Sequence, residues 1–191
     1  MKNDDYIKIF NNLYSEDTPL VFTDGTKIYE ELKKEYKTHD KGYFIYGPSG
    51  VGKTYFINNQ KIKNWIDGDV IWSSTHALPD GDWWNLSIDE MDAIERRCDV
   101  ITEQAKKQGF WIIGASCVNI IPDAIVIPEL ETHIKYLKIR ENNNYDGGMT
   151  SKDIEKIKKT REYYSRFKES GVPIFTSVDE AVHYIESQNY N

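Results

Sequence analysis

Beyond residue 42 the chain alternates short apolar runs with longer stretches in which apolar residues recur every three or four positions. The short runs predict strands over 43–46, 64–66, 110–115, 124–127 and 173–176. The periodic stretches predict helices over 53–60, 87–107, 129–140, 151–169 and about 178–187. Strands alternating with helices build a parallel sheet covered by helices on both faces, so a five-stranded, three-layer α/β architecture is expected. The chemistry of such a sheet belongs just past the carboxyl ends of its strands.

Local signals sharpen these boundaries. Ser87 and Glu90 form a capping box for the second helix. Thr150 or Ser151 is the expected cap of the fourth. Residues 1–40 read as an extension placed before a core spanning 41–191. Within it, Leu20-Val21-Phe22-Thr23 predicts a strand and Asp24-Gly25 a turn. A charged helix over 27–37 follows, with Ile28, Leu32 and Tyr36 at four-residue spacing.

Between the first strand and the first core helix stands Gly47-Pro48-Ser49-Gly50-Val51-Gly52-Lys53-Thr54. It matches G-x-x-x-x-G-K-[ST], the pattern of a phosphate-binding loop, in the strand-then-helix setting that the pattern requires. Glycines let the backbone curl so that successive N–H groups point inward at a phosphate. Lys53 has the reach for β and γ phosphates, and the Thr54 hydroxyl suits Mg²⁺. The helix opening at Lys53, Thr54 and Tyr55 turns its positive dipole end toward the same anion. Gly47 to Tyr55 are therefore the expected nucleotide contacts.

Composition narrows the class. Of 191 residues, 39% are hydrophobic and 29% charged, which reads as one soluble, globular domain. The N-terminus is polar and acidic, and no apolar run reaches membrane-spanning length, so a cytoplasmic location is expected. Cys98 and Cys117 are the two cysteines and form no metal-ligand pair, so free thiols are expected. A net charge of −7 argues against broad nonspecific binding to nucleic acid, while leaving room for a local basic cleft.

Asp67-Gly68-Asp69 follows the second strand. Two carboxylates one residue apart suit a metal shell or a base that accepts the proton of an attacking hydroxyl. An ordinary Asp-Gly turn has the same spelling. A phosphate loop followed by a strand ending in Asp-Gly-Asp resembles the shikimate kinase, gluconate kinase and adenylylsulfate kinase group, small kinases of the adenylate-kinase-like P-loop class. The resemblance covers about residues 43–188. It implies that Asp69 is the acceptor-side carboxylate and, with Thr54, a metal ligand, and that Asp67 supports the metal shell. Residues 77–86 are similar to a gluconate-kinase stretch, but Leu78 and Pro79 are reversed and Trp83 replaces a basic residue, which implies an acceptor other than gluconate.

The remaining strand ends add candidates. Gly114-Ala115-Ser116-Cys117 shows no acidic Walker B residue, which argues against a motor ATPase, and no Asn-Lys-x-Asp guanine motif occurs. Ser116 faces either the γ-phosphate and acceptor or a helix cap. Past the fourth strand, a basic helix, the polar run 142–148 and a second basic helix resemble the lid of adenylate-kinase-like enzymes, at about 140–166. That resemblance gives Arg140 the role of stacking on adenine and Arg161 that of neutralising the transferring phosphate; a solvated helix face is the alternative for these cations. Thr176-Ser177-Val178 is either an adenine-packing segment or a capped turn.

Trp65, Trp72, Trp83 and Trp84 fall within twenty residues of one another, and indole faces suit a flat ring. Core packing is the expected role for Trp65. His76, and one of Arg96 and Arg97, are further candidates for contact with an acceptor. The resemblance as a whole implies Mg²⁺-dependent transfer of the γ-phosphate of ATP to a hydroxyl, with Lys53, Asp67, Asp69 and Arg161 as the catalytic set. A nucleoside-like or hydroxymethylated base, free or in DNA, would use the tryptophans; a sugar acid would use the arginines. A nucleoside monophosphate kinase and a non-catalytic nucleotide-binding regulator are the alternatives.

Overall fold

Tyr43-Phe44-Ile45-Tyr46 is apolar at every position, and every residue is buried, as in a strand covered on both faces. In the computed structural model, which describes residues 28–75, 77–78, 86–115, 119–143 and 149–189, it forms β1 (Tyr43–Tyr46). The elements run α1 (Ile28–Glu35), β1, α2 (Lys53–Asn59), β2 (Trp65–Asp67), α3 (Gly68–Ser74), α4 (Ile88–Lys107), β3 (Trp111–Gly114), β4 (Ala124–Val126), α5 (Leu130–Asn142), α6 (Ile154–Ser165), a 3₁₀ turn (Arg166–Ser170), β5 (Ile174–Phe175) and α7 (Val178–Gln188). The five strands form one all-parallel sheet in the order β2-β3-β1-β4-β5. The α/β class and the parallel sheet expected from the alternation are present.

The chain divides into two units, which are described separately. Among the described residues the first holds 28–43, 60–75, 77–78, 86–112 and 119–120; the second holds 44–59, 113–115, 121–143 and 149–189.

In the first unit, Ile28, Tyr29 and Leu32 are the buried face of α1, and the Tyr29 hydroxyl donates to Gln104 of α4 at 3.2 Å. Burial pushes the Tyr29 hydroxyl far above its usual pKa. Ser87 caps α4 in a complete capping box with Glu90, as its spacing predicts. The seven-residue helix α3 is absent from the sequence-based expectation. Asp67 caps it by accepting the Asp69 N–H at 3.1 Å, so the Asp-Gly-Asp run begins a helix instead of a turn. Trp72 on α3 is buried and donates to Thr102 at 3.1 Å, which removes it from the candidate acceptor surface; Trp65 is in the core as expected.

In the second unit, Ile45 and Tyr46 lie opposite Ala124 and Ile125, while Ile125 and Val126 lie opposite Ile174 and Phe175. The Phe44 N–H donates to Asp123 at 2.8 Å. Leu137, Met149 and Ile157 form a buried cluster joined by Leu130, Ile134 and Ile154. The expected single helix over 151–169 is two pieces. Its cap is Asp153, not Thr150 or Ser151, because Ser151 is taken by Glu141; its last turns tighten to 3₁₀ and end at the left-handed Gly171. The strand predicted at 20–23 and the turn at Asp24-Gly25 lie outside the described residues. No helix among the described residues is long and apolar enough to cross a membrane.

Candidate functional site

The sheet order sets where a site belongs. The chain leaves β1 toward β2 on one side and leaves β4 toward β5 on the other, so β1 and β4 flank the switch point. The 47–54 segment follows β1; Pro128, Glu129 and α5 follow β4. All of these belong to the second unit.

The 47–54 segment is a defined loop. The Gly47 N–H donates to the Gly114 carbonyl at 3.0 Å and anchors its start. Gly50 and Gly52 have φ of 85° and 97°, values that L side chains rarely adopt. A Cβ on Gly50 would stand 2.4 Å from Leu137 Cδ2, whereas one on Gly52 would meet nothing within 4 Å. Gly50 is thus demanded by shape and packing, and Gly52 by backbone shape alone, with open room beside it. The Phe56 N–H donates to the Gly52 carbonyl at 2.9 Å and starts α2. Lys53 Nζ turns back across the loop and donates to the Gly47 and Pro48 carbonyls, each at 2.8 Å. Val51 is buried beneath it, Thr54 is exposed, and the Tyr55 ring is 77% exposed.

Ser49 ties this loop to α5 through both of its oxygens. Its carbonyl accepts from His133 Nε2 at 2.8 Å, and its hydroxyl accepts from Arg140 Nη1 at 2.6 Å. Arg140 also donates through Nη2 to the Met149 carbonyl. This places the guanidinium as a polar clamp between the loop and the chain after α5. Glu141 grips the same return segment, accepting the Ser151 N–H at 2.6 Å and hydroxyl at 2.7 Å; these bonds lower its pKa.

His133 is fully buried, and its Nδ1 has no hydrogen-bond partner among the described residues. Burial depresses its pKa. The Ser49 carbonyl opposes that shift, and the charges of Arg161, Lys53 and Arg140 add to it. Three cations therefore act on one buried ring, in a chain whose net charge is −7. Arg161 is half-buried and donates to the Pro128 carbonyl; burial lowers its pKa, and Glu129 counters this. Three residues on, Tyr164 stacks on Tyr46.

Asp67 and Asp69 belong to the first unit. Asp67 is buried and its Oδ1 serves as the cap of α3, while Asp69 is exposed in the first turn of that helix. Among the described residues no group of three or more His, Cys, Asp or Glu could hold a metal ion. Thr54, in the second unit, and Asp69, in the first, each carry an exposed oxygen-bearing side chain.

The other candidates divide. Arg97 is buried and donates to the Ala77 carbonyl at 3.5 Å, while Arg96 is exposed and bonds Asp92 at 2.8 Å and Asn119 at 3.4 Å. Ser177 caps α7 and Thr176 bonds Glu180 through its N–H and hydroxyl, so this segment is a capped turn. His76, Trp83, Trp84, Ser116, Cys117 and the run 144–148 lie outside the described residues.

The residue that sequence reasoning missed is His133. Its one signal was position: with Leu137 and Arg140 it makes an i, i+4, i+7 stripe on α5. No family model matches the chain, and no curated protein matches it.

Proposed function

We propose that the chain is a P-loop kinase that binds ATP through the 47–54 loop and transfers the γ-phosphate to a hydroxyl. One observation carries this reading: the G-x-x-x-x-G-K-T motif is folded between β1 and α2 with left-handed glycines at 50 and 52, its lysine turned across the loop, and Arg140 bonded to its serine. A phosphate group supplies acceptors for such N–H and ammonium donors.

In this reading Lys53 leaves the Gly47 and Pro48 carbonyls for phosphate oxygens, and Thr54 and Asp69 are the residues that the resemblance gives as those that would hold Mg²⁺. Arg140 and Arg161 offset the charge that gathers on the transferring group. The acceptor oxygen bonds to the γ-phosphorus, the bond to the bridging β–γ oxygen breaks, and ADP leaves with that electron pair. Asp69 takes the hydroxyl proton, and Asp67 keeps α3 and Asp69 in place. The acceptor stays open: a nucleoside-like or hydroxymethylated base would use the tryptophans, and a sugar acid the arginines.

The test is ADP release from Mg-ATP against a panel of nucleosides, nucleoside monophosphates, sugar acids, and DNA with and without hydroxymethylated bases. Lys53→Ala and Asp69→Asn run in parallel. Turnover on one hydroxyl acceptor, lost in both variants, is the expected result. Turnover on a monophosphate that survives Asp69→Asn would instead identify a nucleoside monophosphate kinase. ATP binding with no acceptor-dependent release would identify a regulator.

A further inference from the structure

We infer that His133 is a positioning residue for the proposed phosphate loop, its Nε2–H holding the Ser49 carbonyl at 2.8 Å so that the backbone from Gly50 to Lys53 keeps the shape that receives phosphate. The inference rests on the kinase reading for its purpose, and on the geometry alone for its mechanics.

A carbonyl oxygen is only an acceptor, so Nε2 carries the hydrogen. Nδ1 is buried and has no partner among the described residues, which leaves the ring as the neutral Nε2–H tautomer with a bare lone pair on the far side. Burial disfavours a second ring proton, the Ser49 carbonyl opposes this, and the charges of Arg161 of α6, Lys53 of α2 and Arg140 of its own helix add to the effect of burial. Leaving a buried Nδ1 unsatisfied is costly. The geometry gives the reason it is tolerated. A ring is stiff, and its Nε2 reaches the loop from a helix whose next turn, through Leu137, already fills the space beside Gly50. His133 and Leu137 thus press on consecutive residues of the loop, one by a hydrogen bond and one by contact.

The carbonyl of Ser49 matters because peptide groups point their two ends oppositely. Fixing this C=O toward α5 fixes the N–H of Gly50 away from it, which begins the run of N–H groups that a phosphate needs. Arg140 holds the same residue by its hydroxyl but leaves the peptide plane free to rotate about it.

The test compares the wild type with His133→Leu and His133→Gln. Leucine removes the donor while keeping an apolar body; glutamine places an amide N–H at nearly the same reach. Amide hydrogen exchange of segments covering 47–54 is measured on the free protein, and Mg-ATP affinity by calorimetry. Expected for His133→Leu are faster exchange confined to 47–54 and a Kd weaker by about tenfold. His133→Gln restores most of both. Unchanged exchange in His133→Leu, or equal loss in leucine and glutamine variants, overturns the inference. Faster exchange in the leucine variant, rescued by glutamine, in a protein that does not bind Mg-ATP, overturns the kinase reading and keeps the positioning role. Should His133→Leu fail to fold, His133→Gln alone decides: wild-type exchange and affinity support the donor role, and loss of both overturns it.

Discussion

The Tyr164 ring lies on the Tyr46 ring with centroids 4.0 Å apart and planes 17° apart, and its hydroxyl donates to the Ala115 carbonyl at 2.6 Å. Tyr46 is the last residue of β1 and Ala115 follows the last residue of β3. One side chain from α6 therefore holds two strand ends, three residues from Arg161.

Removing only the hydroxyl separates these contributions. Tyr164→Phe keeps the stack, strands a partly buried carbonyl, and should destabilise by about 1 kcal/mol. Tyr164→Leu loses ring contact as well and should cost about 1 kcal/mol more. Urea denaturation followed by intrinsic fluorescence measures both, and equal losses in the two variants would remove the stack from the account.

Gly50→Ala places a methyl against Leu137 at a left-handed φ, whereas Gly52→Ala meets open space at a similar φ. Both should destabilise by about 1 kcal/mol from the backbone alone. Gly50→Ala should add roughly 1–3 kcal/mol of overpacking. In a double-mutant cycle with Leu137→Ala, the Gly50 penalty should shrink and the Gly52 penalty should not.

Stability should fall in mild acid, and His133 should account for part of the fall. Its folded pKa is lowered from 6.5 by burial, then by its cationic neighbours. Between the two values the unfolded chain binds more protons, so stability rises with pH across that window and is lost as pH drops below about 6.5. His39 is shifted the same way by burial and Lys37. His133→Gln should therefore flatten the slope of denaturation midpoint against pH below about 6.5 without abolishing it. An unchanged slope would show that the ring is not held neutral.

The acidic pair separates structure from chemistry. Asp67→Ala removes the α3 cap and should cost about 1 kcal/mol, while Asp67→Asn, itself a good cap, should cost less. Asp69→Asn should leave stability within about 0.5 kcal/mol, since the side chain is exposed. If Asp69 is the base proposed above, that variant should lower turnover on a hydroxyl acceptor by about 10²–10⁴-fold. Thermal melts beside steady-state rates distinguish the two positions.

The legible parts were those written locally. β1 is apolar at each position, and its bounds follow from the sequence. The α4 capping box sits within four consecutive residues. The α3 helix was obscured because its start spells a turn, and because its two large inward residues, Ile71 and Trp72, are adjacent and carry no helical period. Arg140 was singled out as a nucleotide contact, but its partner Ser49 is 91 positions away, and no spacing rule spans that distance. His133 was overlooked for the same reason: its place in a stripe with Leu137 and Arg140 acquires meaning only from the carbonyl it meets.

Both oxygens of Ser49 are held by side chains that lie 84 and 91 positions further along the chain. The eight-residue motif is therefore not a portable part. Transplanted between another strand and helix, it would carry the glycines and the lysine but leave its scaffold behind. During synthesis, too, a nascent chain must emerge past Arg140 before the loop has both of these supports, so the most recognisable stretch of the sequence takes its final shape long after it is made.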